Sequence, residues 1–180
     1  RVFCQRPCEA GSSVEPMSAS LDAEAVLMEL MESDDSIGDA AKMDQLIEIT
    51  GSTTELRLTT QTIILTALMA TKEQELLLRF SHSHALERVH EWLQESLEPA
   101  QPQRTVALLL LLGHLPMTVR SLQSSGVGKT VNKLRKNGDA LVQNGAAGLL
   151  KNWKAIATSA PVSTTEPTVP VQQPQPPHHH

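Results

Sequence analysis

The sequence predicts an all-α protein, and three observations carry that prediction. Leucine-rich runs repeat at the 3.6-residue period of a helix. Runs rich in aromatic and β-branched residues, which build long strands, are missing: the 180 residues include no tyrosine and only Phe3 and Phe80 as phenylalanines. Turn-forming stretches such as Thr50-Gly51-Ser52, Pro99 to Pro102 and Asn137-Gly138 cut the apolar pattern into helix-length pieces. The core is therefore expected to be mostly Leu, Ile, Val and Ala, with Trp92 and Trp153 as its large side chains.

Taken in order, residues 1–20 carry Gly, Ser and Pro without a period and are expected to be disordered. Leu21 to Met31 reads as an amphipathic helix with Asp22, Glu24 and Glu29 outside. Asp34 to Ile49 holds a second, with Met43, Leu46, Ile47 and Ile49 inward, stopped by Thr50-Gly51-Ser52. A long helix is expected from Thr53 through Met69, then one over Lys72 to Phe80. Ala85 to Leu97 follows, with Leu86, Val89, Leu93 and Leu97 as an inner stripe. Pro99 and Pro102 break the chain before Thr105 to Leu112, which is apolar nearly all round and so belongs at the centre of the fold, with Gly113 as its stop. Pro116 then stands where a helix can start.

The last helices divide into two faces. Val127, Val131 and Leu134 share one face, while Lys129, Lys133 and Lys136 fall on nearly the opposite one at about 100° per residue. Asp139 follows the Asn137-Gly138 stop and can cap a final helix. On that helix Val142, Ala146, Leu149, Trp153 and Ile156 form one stripe, and Lys151 and Lys154 fall away from it.

Charge is segregated in the same way. The net charge of −5 hides a Ser20–Ala100 half with sixteen acidic and five basic residues, a balance of −11. Residues 101–160 hold eight basic residues against Asp139 alone, a balance of +7. The two halves therefore attract different partners.

Three runs in the basic half, PMTV at 116–119, GVGKTVNKLRKN at 126–137 and LLKNWKAI at 149–156, resemble the N-terminal domain of transcription elongation factor IIS, the LW domain. That module recurs in Elongin A and a Mediator subunit. The runs keep the family's order and separations, although Gly145 and Gly148 stand where it has better helix formers. The resemblance implies a right-handed orthogonal helical bundle of the TFIIS N-terminal type, here extended by N-terminal helices. The expected organisation is a bundle over 21–158, with acidic helices over 21–98 and the LW-type module over 101–158, and a Pro/Thr/Gln-rich disordered tail over 159–180. More weakly, the acidic half resembles the helix pairs that precede the module in a phosphatase-targeting nuclear subunit and in some SET-domain histone methyltransferases.

Catalytic and cofactor readings find little support. Gly128-Lys129-Thr130 hints at a phosphate-binding loop, but the required earlier glycine is Gln123 and no buried strand precedes it. His82 and His84 are two apart, and only the fold could bring them to His90 or His114, so no metal site is expected. Cys4 and Cys8 make no disulfide framework and suit a reducing compartment. The longest apolar run, Val106 to Leu112, is too short to span a membrane. The chain begins without methionine and is expected to be part of a longer protein. The expectation is a nuclear, non-enzymatic, monomeric docking domain without cofactors.

The resemblance implies the partner: disordered segments of other transcription elongation or chromatin proteins, acidic with an embedded phenylalanine. Lys129, Lys133, Arg135, Lys136, Lys151 and Lys154 would attract the acidic flank, and an apolar seam at Leu115 and Met117 would take the ring. Val127, Val131, Leu134, Leu149 and Trp153 would form the supporting core. A regulatory domain of a SET-domain methyltransferase is the alternative. Nucleic acid is a weaker one, because the acidic half repels phosphate and the one aromatic of the basic half, Trp153, is assigned to the core and not to stacking.

Overall fold

A computed structural model describes residues 17–52, 56–97 and 101–159 of the chain. Among them it contains nine helices: α1 (Met17–Leu30), α2 (Ala40–Ser52), α3 (Leu58–Ala70), α4 (Gln74–Ser81), α5 (Ala85–Glu95), α6 (Pro102–His114), α7 (Val119–Ser125), α8 (Val127–Leu134) and α9 (Ala140–Ser159). The only extended pairing among these residues is an isolated bridge between Met31 and Ile37. The fold is all-α. Cys4, Cys8 and the Pro/Thr/Gln-rich tail lie outside the described residues.

The expected stripes are buried. Leu86, Val89 and Leu93 face the core from α5, with Trp92 2% exposed beside them. Met43, Leu46 and Ile47 do so from α2, and Ile64 and Leu68 from α3. Leu97, expected on the α5 stripe, lies in the turn after the helix and is half-buried.

Several boundaries differ from the sequence reading for local reasons. α1 begins at Met17, inside the stretch expected to lack structure. α2 runs through Thr50 and Gly51: Thr50 turns its hydroxyl onto the Leu46 carbonyl (2.7 Å), and the His84 ring occupies the space a side chain on Gly51 would take. α3 starts at Leu58 rather than Thr53. α6 includes Pro102, because a proline in the first turn loses no helical hydrogen bond. It also includes Gly113, where a β-carbon would sit 3.2 Å from the Leu149 side chain of α9. Pro116 precedes the next helix instead of starting it, and Thr118 is the cap residue.

α6 lies between α3, α5 and α9. Its three neighbours explain why an almost wholly apolar helix is stable in water. Leu108, Leu109, Leu111 and Leu112 are buried, but Leu110 is 60% exposed, so α6 is central without being fully covered. α3 and α6 run parallel. Arg104 near the start of α6 donates to Gln61 Oε1 near the start of α3 (2.5 Å), and His114 Nε2 meets the Thr71 carbonyl at their far ends (3.0 Å). α9 lies parallel on the other flank of α6, with Gly145 beside Leu109 and Gly113 beside Leu149.

Polar ties hold the acidic helices to this frame. Glu24 on α1 accepts hydrogen bonds from the Thr59 and Thr60 hydroxyls (2.6 and 2.9 Å), which keep its carboxyl below the ordinary carboxylate value. Arg79 on α4 makes a two-pronged ion pair with Asp44 on α2. Fully buried Thr71 joins three segments: its hydroxyl donates to the Ala67 carbonyl (2.7 Å), accepts from the Ile37 amide (3.0 Å), and its carbonyl meets His114.

Two stability predictions follow from this packing. Thr71→Val keeps the shape but leaves the Ile37 amide without its acceptor, and urea denaturation should show a loss of about 1–3 kcal/mol. Trp153→Ala should cost roughly 3–5 kcal/mol, since Trp153 is only 6% exposed. An unchanged unfolding midpoint in either variant would show that the contact is not formed.

Candidate docking surface

The surface is built from a cap, a tight turn and two amphipathic helices. Thr118 and Ser121 form a reciprocal capping box: Thr118 Oγ1 accepts from the Ser121 amide (3.2 Å), and Ser121 Oγ accepts from the Thr118 amide (2.9 Å). The chain then turns at Gly126, whose φ of 67° lies in the left-handed region that favours glycine. That single residue lets α8 start directly after α7.

On α8, Val127, Val131 and Leu134 are buried, and Lys129, Lys133, Arg135 and Lys136 are exposed on or just after the helix. The α8–α9 connection is fixed by polar contacts. Asp139 caps α9 by accepting from the Leu141 and Val142 amides (2.9 and 3.1 Å), and Gln143 donates to the Arg135 carbonyl (2.9 Å). On α9, Val142, Ala146, Leu149 and Trp153 are buried, with Lys151 and Lys154 exposed.

Among the described residues, none of Arg120, Lys129, Lys133, Arg135, Lys136, Lys151 and Lys154 forms an ion pair; the four pairs present are Lys42–Glu32, Arg79–Asp44, Arg88–Glu91 and Arg104–Glu95. Seven cations on and between three consecutive helices therefore lack an ion-pair partner among the described residues. Such a surface attracts carboxylates or phosphates over about a Debye length, ~8 Å at physiological salt.

The expected aromatic seam is a correction. Leu115 is 4% and Met117 5% exposed, because the chain between α6 and α7 turns both side chains into the core. Neither offers a surface to a partner. Apolar surface beside the cations is found instead at half-buried Leu150, one helical turn before Lys154. Its position at the edge of the α9 stripe could have suggested this from spacing alone.

Gly128-Lys129-Thr130 sits in the first turn of α8, and a β-carbon on Gly128 would meet nothing within 4 Å. The Thr130 hydroxyl lies 2.7 Å from His90 Nε2, so this residue links α8 to α5. Among the described residues no three His, Cys, Asp or Glu side chains are grouped to hold a metal ion, and no helix is long and apolar enough to cross a membrane.

Comparison with known proteins bears on the same helices. Residues 107–157, from within α6 to near the end of α9, match the family model named Med26 and described as a TFIIS helical bundle-like domain. These residues form a TFIIS-like helical domain. Over 132 residues, 72% of the chain, the sequence is 27% identical to serine/threonine-protein phosphatase 1 regulatory subunit 10 of Macaca mulatta. The proteins of that name from Sus scrofa and Pan troglodytes match equally. This chain spans 14% of the length of each of them.

A titratable contact joins α5 to α8. His90 on α5 is half-buried, with Thr130 on α8 and Gln94 (3.1 Å) at its Nε2 and a hydrogen bond to the Ser125 backbone. Burial disfavours the imidazolium and holds its pKa below the usual 6.5, although the Ser125 backbone and Glu91 pull the other way. A depressed folded pKa means the unfolded chain takes up the proton first. The stabilising contribution is therefore complete above about pH 6.5 and is lost as pH falls through the lowered folded value. Thermal melts from about pH 7 to 5 should show the midpoint falling in the wild type and falling less in His90→Gln. Equal slopes would show that another group governs this range.

Proposed function

We propose that this chain is a non-catalytic docking module of the RNA polymerase II transcription elongation machinery, working in the nucleus as a monomeric domain. Its partners are short disordered segments of other transcription elongation or chromatin proteins that are acidic and carry an aromatic residue. The observation that carries this reading is the unpaired basic face of α8 and α9 on a TFIIS-like bundle.

Exposed, unpaired lysines steer an acidic chain and speed its association, since rim charges act mainly on the encounter rate. They cannot hold a partner alone, because each exposed ion pair contributes only about 0–1 kcal/mol. An aromatic side chain laid on Leu150, between the α9 core stripe and Lys154, supplies the apolar contact that slows dissociation. A disordered partner pays an ordering cost on binding, which suits a moderate, reversible affinity.

The test compares the wild type with Lys129→Glu/Lys133→Glu, using a labelled acidic peptide containing one phenylalanine at two salt concentrations. Both lysines are exposed, so the fold should keep its stability within about 0.5 kcal/mol. Affinity should fall about tenfold, mostly through slower association, and the remaining binding should depend less on salt. Equal affinities for the two folded proteins would remove the basic face from the reaction.

A further inference from the structure

An open groove of about 780 Å³ runs between the parallel helices α3 and α6, bordered by Leu58, Leu65, Met69, Ala107 and Leu110. Leu58, Met69 and Leu110 are 55%, 41% and 60% exposed, too much aliphatic surface in one place to pass as scattered exposure. On the α6 wall Gln103, Ala107 and Leu110 follow one another at helical spacing, so the small Ala107 leaves a notch before Leu110. α3 carries no charged residue, and the one charge lining the groove, Arg104 near its start, is paired with Glu95 and bonded to Gln61. The threonines of the α3 wall are turned inward to their own backbone. Thr62 and Thr66 donate their hydroxyls to the Leu58 and Thr62 carbonyls (2.8 and 2.9 Å).

We infer that the groove takes a helix of a partner protein, about three turns long, that presents an uncharged stripe of leucine, isoleucine or methionine. Three properties of the groove select this occupant. The first is hydrogen bonding. An extended segment would press its backbone carbonyls against Leu65, Met69, Ala107 and Leu110, where the threonine hydroxyl protons are already engaged and no other donor lines the walls. A helix satisfies its own backbone and needs only apolar contact. The second is charge. An ionised side chain laid along this stretch would lose water and meet no counter-ion, so the stripe is neutral, unlike the acidic segments proposed for the basic face. The third is size. α3 spans 13 residues, about 20 Å, and packed helix axes lie ~8–10 Å apart, so the groove covers roughly 200 Å² in projection. Even doubled for its curved walls, that falls short of the ~800 Å² per partner that a stable dimer of globular copies buries. One helix fills it, with a side chain of its i, i+4, i+7 stripe over the Ala107 notch.

The probe is a synthetic helical peptide of about three turns, with leucines at i, i+4 and i+7 and alternating Lys and Glu on its outer face. Added to the full chain, it should bind saturably and shift the Met69 methyl resonance. Met28, exposed on α1, and Met43, in the core, should stay in place. A peptide with glutamate for its central leucine, or with a proline in mid-helix, should bind about tenfold more weakly or worse. Leu110→Lys should weaken the leucine peptide to a similar degree, with an unmoved Met43 signal reporting an intact core. Equal affinity for the glutamate or the proline peptide would overturn the inference, as would the lack of saturable binding. So would a Met69 shift that follows protein concentration without peptide, together with a doubled mass, which would assign the groove to a second copy of the chain. This inference does not rest on the basic-face reading. Lys129→Glu/Lys133→Glu should leave the leucine peptide's affinity unchanged, and Leu110→Lys should leave that of the acidic peptide unchanged, so either reading can fail alone.

Discussion

The close packing of α9 along α6 is the constraint on which the rest of the architecture depends. Gly145 and Gly113 each leave out a side chain where the opposite helix supplies a leucine, so the two axes approach closely over the stretch where both are most apolar. A helix with two glycines is intrinsically weaker, by about 1 kcal/mol for each, and tertiary contact has to offset that. α9 gains it from two sides, α6 along one flank and α8 along another, and buries Val142, Ala146, Leu149 and Trp153. Gly148 meets nothing within 4 Å, and no packing reason accounts for it.

From this contact the separation of surfaces follows. α6 bonds to α3 through Arg104–Gln61 and His114–Thr71 and packs on α9, while α5 also reaches α8 through His90–Thr130. Among the described residues the lysines of α8 and α9 form no ion pair with the carboxylates of α1 to α5. Had the halves folded onto each other face to face, the −11 and +7 balances would have neutralised one another and left little field for a partner. The fold instead joins the halves through apolar packing and a few polar ties, among them Arg104–Glu95, Arg104–Gln61 and His90–Thr130.

Much of this is legible in the sequence, and the limits have physical causes. The stripes of α5, α8 and α9 could be read because each helix has one wet face, which imprints the helical period on residue type. α6 has almost no polar residue between Thr105 and Gly113, so the sequence could place it centrally but could not reveal that Leu110 stays exposed. The resemblance implied a seam at Leu115 and Met117, and only the path of the α6–α7 connection shows them buried. The His90–Thr130 and Thr71–Ile37 bonds join residues 40 and 34 positions apart and leave no local pattern. Exposed lysines were the easiest site residues to find, since periodicity alone puts them opposite Val127 and Val131. What they bind is a property of the partner and is written nowhere in their spacing.

The central claim is that the basic face of α8 and α9, rather than another surface of the bundle, receives the partner. Amide resonance mapping on the isotopically labelled full chain, titrated with an unlabelled acidic peptide containing one phenylalanine, tests it most directly. The account predicts saturable shifts concentrated at Lys129, Lys133, Lys136, Leu150, Lys151 and Lys154, with the α1 and α2 amides unmoved. Saturable shifts centred on the α3–α6 groove or on the acidic helices, or no saturation at all, would contradict it.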